Sequence, residues 1–116
     1  LVGQCGNLIS RVLFTKNSYD KNYVILDAGM TELIRPALYN SYHKTSNLTS
    51  IENKFKKYDV VGPLCESSDI FSKNIKLPFS KRDDIFRIHS CGAYGETMSS
   101  NYNLRNSIKS YYSDMI

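Results

Sequence analysis

Apolar residues fall in short clusters separated by polar stretches, at spacings that predict strands rather than helices. Residues 8–15 (Leu-Ile-Ser-Arg-Val-Leu-Phe-Thr) are rich in β-formers and predict a first strand. Residues 17–22 are a polar turn, and Tyr23-Val24-Ile25-Leu26 is a continuous apolar run of a length suited to a buried strand, ended by Asp27-Ala28-Gly29. In residues 31–43, Thr31 is placed to cap a short turn, and Pro36 suits the first position of a second. The residue before a proline is driven toward extended geometry, so Arg35 is expected to project from a kink rather than from a regular helix. Residues 44–57 are polar and read as a long surface loop.

Asp59-Val60-Val61 resumes strand character and is broken by Gly62-Pro63. Residues 84–90 alternate, Phe86 and Ile88 to one face, Arg87 and His89 to the other. Gly92 and Gly95 bracket Ala93-Tyr94 and mark a bend where backbone passes close to another group. Residues 108–112 predict a weaker last strand, and no internal repeat is present. Four or five short strands with one brief helical segment predict an all-β fold, a Greek-key-like β-barrel or sandwich.

Composition bounds the picture. The 116 residues are 41% hydrophobic, enough for one modest core and no more. No apolar run approaches the ~20 residues of a membrane span, and no signal-peptide pattern opens the sequence. Leu1 is not Met and both ends are apolar, so the sequence reads as truncated at both ends. Three cysteines (Cys5, Cys65, Cys91) without a CxxC spacing predict neither a disulfide framework nor a metal site, and fit a cytoplasmic setting. The Asn47-Leu48-Thr49 triplet matches a glycosylation acceptor, read here as a chance match. A net charge of +4 and nine tyrosines raise the question of an RNA-binding module. The basic residues are scattered, though, and Lys54, Lys56 and Lys57 form the densest group, so a solvated basic surface and no nucleic-acid partner are expected.

Reactive groups concentrate in Gly62-Pro63-Leu64-Cys65-Glu66-Ser67-Ser68-Asp69, just past a strand end where a loop presents side chains. Cys65 can act as a nucleophile or as a proton donor near neutral pH, or be a small buried hydrophobe. Glu66 can hold a cation or be merely solvated. A Cys–His pair would need His43 or His89 nearby, and no protease signature surrounds Cys65. Arg35 and Tyr39 sit close together beside Pro36, as a carboxylate-recognising pair or as a surface arginine with a core tyrosine. Tyr94, between two glycines, can reach a phosphate or a ring, or belong to a plain turn.

Several of these segments occur together. Asp27-Ala28-Gly29-Met30, Leu33 to Tyr39, Asp59 to Asp69, Gly92-Ala93-Tyr94-Gly95 and Met98-Ser99-Ser100-Asn101-Tyr102-Asn103 resemble, in order and spacing, the C-terminal β domain of the diaminopimelate decarboxylase family. The resemblance covers nearly the whole chain, and Cys65-Glu66-Ser67 is its most specific part. Related ornithine and arginine decarboxylases, the alternative within this chemistry, typically carry Asp after the cysteine.

The resemblance implies a pyridoxal-phosphate-dependent carboxy-lyase that converts meso-diaminopimelate to L-lysine and carbon dioxide, the last step of lysine biosynthesis. It implies that residues 1–116 are one C-terminal β domain, with the N-terminal α/β barrel and its cofactor-binding lysine absent, so that the chain alone is inactive. Arg35 and Tyr39 resemble the pair that holds the substrate carboxylate, and Cys65 the acid that protonates the carbanion. Glu66 resembles the residue that binds the ammonium at the L-configured end, and Tyr94 one that contacts substrate and cofactor. The family implies a homodimer with shared active sites, Cys65 and Glu66 entering the partner's site. Ser68 stands where the family more often has Gly. Cys91 stands where a small Ala is usual, and adds a second thiol expected near the site.

Overall fold

The computed structural model describes residues 2–115. Its strands are β1 (Leu8–Ser18), β2 (Lys21–Leu26), β3 (Thr45–Asn47), β4 (Phe55–Val61), β5 (Ile70–Pro78) and β6 (Ile85–Ile88), with a short α-helix, α1 (Arg35–Tyr39), between β2 and β3 and short 3-10 turns outside the sheet. They form a six-stranded sheet in the order β3-β6-β1-β2-β4-β5.

β1 is long enough to serve two neighbours. Leu8 to Arg11 pair antiparallel with β6, and the strand from Val12 onward pairs antiparallel with β2. Its register slips between Val12 and Phe14, a bulge that bends the strand and curls the sheet. β2 runs parallel to β4, and β4 antiparallel to β5. The two sheet edges then approach each other, with Thr45 Oγ1 of β3 3.3 Å from Ser72 Oγ of β5. The barrel is thus nearly closed, which protects edges that would otherwise template pairing with other chains. The last strand, β6, returns beside the first, as the Greek-key-like expectation requires.

Inside lie Leu8, Val12, Val24, Leu26, Ala28, Leu33, Tyr58, Val60, Phe71, Leu77, Phe86 and Ile88. β1 alternates buried and exposed over its first half, and in β6 Phe86 and Ile88 are buried while Arg87 is not, as the alternation predicts. Cys91 packs against this core with Ile75 and Ile108.

The structure corrects the sequence reading in several places. Residues 44–57 are not one loop: they hold β3 and the start of β4. Their polar side chains are used laterally. Asn47 Nδ2 donates to Ser80 Oγ and to Asp84 Oδ2, both at 2.9 Å, and Asn47 Oδ1 accepts the N–H groups of Thr49 and Ser50. The asparagine of the glycosylation triplet is therefore a structural brace. β5 was not expected, because Asn74, in the left-handed region at φ 53, interrupts its alternation. The buried Asp59 accepts the Asn74 N–H at 2.7 Å and holds this bulge.

Residues 108–112 form no strand. With β3 and β5 approaching each other, the nearly closed sheet leaves little room for another strand, and Ile108 packs onto the core instead. Arg35 opens α1 rather than projecting from an extended kink, with Leu38 N–H donating to Ile34 O at 2.9 Å. Pro36 in the first turn costs no hydrogen bond, because that N–H has no helical partner anyway. Thr31 does not cap its turn. Glu32 does, accepting the Gly29 N–H at Oε2 (2.8 Å).

Candidate active site

β4 ends at Val61, and the chain loops through Cys65 and Glu66 before re-entering the sheet at Ile70. The buried Asp69 holds this loop. Its backbone N–H donates to Glu66 O (3.1 Å) and its carbonyl accepts from Gly62 N–H (2.9 Å). Its carboxylate accepts the Leu64 N–H at Oδ2 (2.8 Å) and the Met30 N–H at Oδ1 (2.7 Å). One side chain thus ties the Cys65 loop to the turn after β2. Burial pushes the Asp69 carboxyl upward, opposed by those two N–H donors and, more weakly, by Arg105. A Cβ at Gly62 would collide with this carboxylate, which explains the glycine there.

Each residue of Asp27-Ala28-Gly29-Met30 has a task in this arrangement. Asp27 Oδ1 accepts from Ser10 Oγ (2.6 Å) and from Arg11 N–H (2.9 Å), fastening the turn to β1. Ala28 is in the core, Gly29 meets Glu32, and Met30 meets Asp69. Ser68 Oγ lies 3.7 Å from Met30 Sδ, so the departure from Gly at this position adds a contact between the same two segments.

Cys65 is exposed, against the buried-hydrophobe alternative, and Glu66 is exposed beside it. Arg35 and Tyr39, one helical turn apart, stack with the guanidinium 5.6 Å from the ring centroid. Among the described residues no carboxylate pairs with Arg35, whose donors are left available. Helix α1 and Ser67–Ser68 line a shared depression of about 460 Å³. Tyr94, at φ 65 and 65% exposed, projects from the Gly92–Gly95 bend. That bend is tight because Gly92 presses on the Val2 carbonyl, the close approach its sequence implied.

The histidines do not serve Cys65. His43 Nδ1 lies 2.9 Å from His89 O, and His89 Nε2 lies 2.9 Å from Ser46 Oγ. Burial, with Arg87 and Lys44 nearby, holds the His89 imidazole below its ordinary range. Cys91 is half-buried, with its Sγ directed at Ile88 O (3.2 Å), and burial raises its thiol. It is a core thiol and a poor nucleophile.

The sequence reading missed three residues that organise the region. Glu32 receives Arg105 in an ion pair at 2.9 Å, and Arg105 Nε also donates to Thr31 Oγ1 (3.1 Å). Tyr102 donates its phenol to Glu66 Oε1 at 2.5 Å. The only available signal was that Tyr102 lies within a recognised segment. Among the described residues no group of three or more His, Cys, Asp or Glu is arranged to hold a metal, and no helix is long and apolar enough to cross a membrane.

A family described as the pyridoxal-dependent decarboxylase C-terminal sheet domain matches residues 2–92. The chain belongs to this family. Among relatives of the pyridoxal-dependent decarboxylase sheet domain, the diaminopimelate decarboxylase of Bacteroides thetaiotaomicron is 58% identical over 98% of this chain and 29% of its own length. That of Zymomonas mobilis is 44% identical over 90% of this chain and 25% of its own. The crystal structure of diaminopimelate decarboxylase from Helicobacter pylori complexed with L-lysine superposes with a TM-score of 0.83 at 43% identity, over 90% of this chain and 25% of that one. The chain therefore spans between a quarter and a third of the length of these relatives.

Proposed function

We propose that the chain is the sheet domain of a longer diaminopimelate decarboxylase, which takes carbon dioxide from the D-centre of meso-diaminopimelate and leaves L-lysine. The observation that carries this reading is the adjacent exposure of Cys65 and Glu66 on a loop pinned by Asp69, in a chain 58% identical to the Bacteroides enzyme. Pyridoxal phosphate, when bound, supplies the electron sink that makes decarboxylation possible.

This chain's own residues then divide the remaining work. Arg35, pre-stacked on Tyr39 and without a carboxylate partner among the described residues, binds a substrate carboxylate through its fork of donors. Glu66 holds the ammonium of the L-configured end, which fixes which end of a symmetric-looking substrate reacts. Cys65 Sγ–H delivers a proton to the carbon that has lost its carboxylate. Tyr94 fits a role against the cofactor and substrate, since its ring stands clear of the core on a backbone fixed by neighbouring glycines.

No described lysine is buried, so none has the enclosed setting that activates an amine, and we assign the cofactor's lysine to a barrel domain preceding this one. By itself the chain is inactive. In the complete enzyme we assign a homodimer in which Cys65 and Glu66 reach the partner's site. A cytoplasmic location fits, because reducing conditions keep Cys65 a thiol.

Assaying the full-length protein with meso-diaminopimelate, ornithine and arginine tests the reading. Turnover of diaminopimelate alone, lost on Glu66→Ala, is expected. Preference for ornithine or arginine would move the chain to a related decarboxylase.

A further inference from the structure

Residues 100–107 form a hook that lies outside the 2–92 family match, and its tip carries Tyr102. The hook is anchored at its start by Ser100 N–H donating to Thr31 O (2.9 Å). Beyond the tip, Arg105 donates to Thr31 Oγ1, through both Nε (3.1 Å) and Nη2 (2.9 Å) to Glu32 Oε1, and to Asp27 O. Asn101 Nδ2 braces across the hook to Arg105 O (2.9 Å) and Ser107 Oγ (3.0 Å). Between these anchors Asn103 and Leu104 both lie in the left-handed region, at φ 60 and 59, which asparagine adopts readily but leucine rarely does.

The product of this construction is one directed contact. The Tyr102 phenol donates to Glu66 Oε1 at 2.5 Å, leaving Oε2 open toward solvent on an otherwise exposed side chain. An exposed glutamate samples several rotamers, and fixing one before a cation arrives removes that entropy cost from binding. The Glu66 carboxylate in turn raises the phenol's titration, so Tyr102 remains a donor through the neutral range.

We propose that Tyr102 is a positioning residue that holds Glu66 in the geometry required for the substrate's distal ammonium, with Arg105 anchoring the hook that carries it. This rests on the assignment of Glu66 as the ammonium-binding residue. The structure of the hook, not the family match, supplies the evidence for Tyr102.

The test uses the full-length holoenzyme and the variants Tyr102→Phe, Glu66→Gln and their combination. Steady-state kinetics are measured with meso-diaminopimelate and with a 2-aminodicarboxylate of equal length that lacks the distal ammonium. Tyr102→Phe is expected to raise KM for diaminopimelate about tenfold, the value of one hydrogen bond to a charged group, with kcat changed less than about twofold. Its kcat/KM for the mono-amino analogue should stay at the wild-type value, which a merely structural role would lower. In the Glu66→Gln background, Tyr102→Phe should add nothing further. If Glu66→Gln raises KM and Tyr102→Phe does not, the Tyr102 proposal alone is overturned. Equal losses with both substrates overturn it as well. If Glu66→Gln itself leaves KM unchanged, the assignment of Glu66 fails and the proposal falls with it. Arg105→Ala should reproduce the Tyr102→Phe pattern, and an unchanged KM there removes the anchoring role.

Discussion

The carboxylate of Asp69 accepts the backbone N–H of Met30 at 2.7 Å, bridging segments 39 residues apart, while its other oxygen accepts the N–H of Leu64. This places a single buried side chain between the turn after β2 and the loop that presents Cys65 and Glu66. The local order of that loop therefore depends on one carboxylate as much as on the sheet that flanks it.

Removing the bridge leaves two backbone donors without partners. Asp69→Ala is expected to lower stability by about 2–3 kcal/mol, the cost of stranding buried polar groups. Urea unfolding measures the loss, and hydrogen exchange should show the Met30 and Leu64 amides losing protection ahead of the β1 and β6 amides. Unchanged protection at both would show that the bridge does not order the loop.

The titration of Asp69 sets a pH dependence of definite sign. Burial raises its folded value above the ordinary 3.8, so the folded state holds this proton more tightly than the unfolded chain does. Its contribution is therefore fully present below pH 3.8 and is lost as pH rises through the raised folded value. The stability of the wild type relative to Asp69→Asn should fall with rising pH across that window. A difference that grows with pH would contradict the burial argument.

Phe86 is fully buried where β6 meets β1, whereas Phe55 on β4 is 52% exposed under Lys76. Phe86→Ala is expected to cost about 3–5 kcal/mol through lost burial and the cavity left behind. Phe55→Ala should cost distinctly less, and paired urea midpoints compare the two.

Cys65→Ala removes the proposed proton donor but no structural contact of the core. In the full-length enzyme kcat is expected to fall by about 10²–10⁴-fold, the usual contribution of a positioned acid, with little change in unfolding midpoint. A kcat within a few-fold of wild type would assign the proton to another group.

Much of the fold was legible from residues alone, because burial imposes short-range periodicity. Tyr23 to Leu26, Val60-Val61 and the Phe86/Ile88 alternation all report a buried face within a few residues. The loop that carries Cys65 and Glu66 was legible too, since Gly62-Pro63 must end a strand just before it. β3 and β5 were not, because they are held by lateral polar contacts, the Asn47 side chain of β3 to Ser80 and Asp84 and the Asn74 backbone N–H of β5 to Asp59, rather than marked by a regular buried stripe.

What the sequence by itself determined, then, is the all-β class, most of the inward-facing residues of the central strands, and the candidate residues Arg35, Tyr39, Cys65, Glu66 and Tyr94. Only the tertiary structure decided how the Cys65–Glu66 loop is held. Asp69 meets Met30 across 39 residues, Tyr102 meets Glu66 across 36, and Arg105 meets Glu32 across 73. Such hydrogen bonds leave no period in the chain. They arise only after the strands have paired and the barrel has brought distant loops to one end, so the polar residues that make them look, in sequence, like ordinary solvated ones.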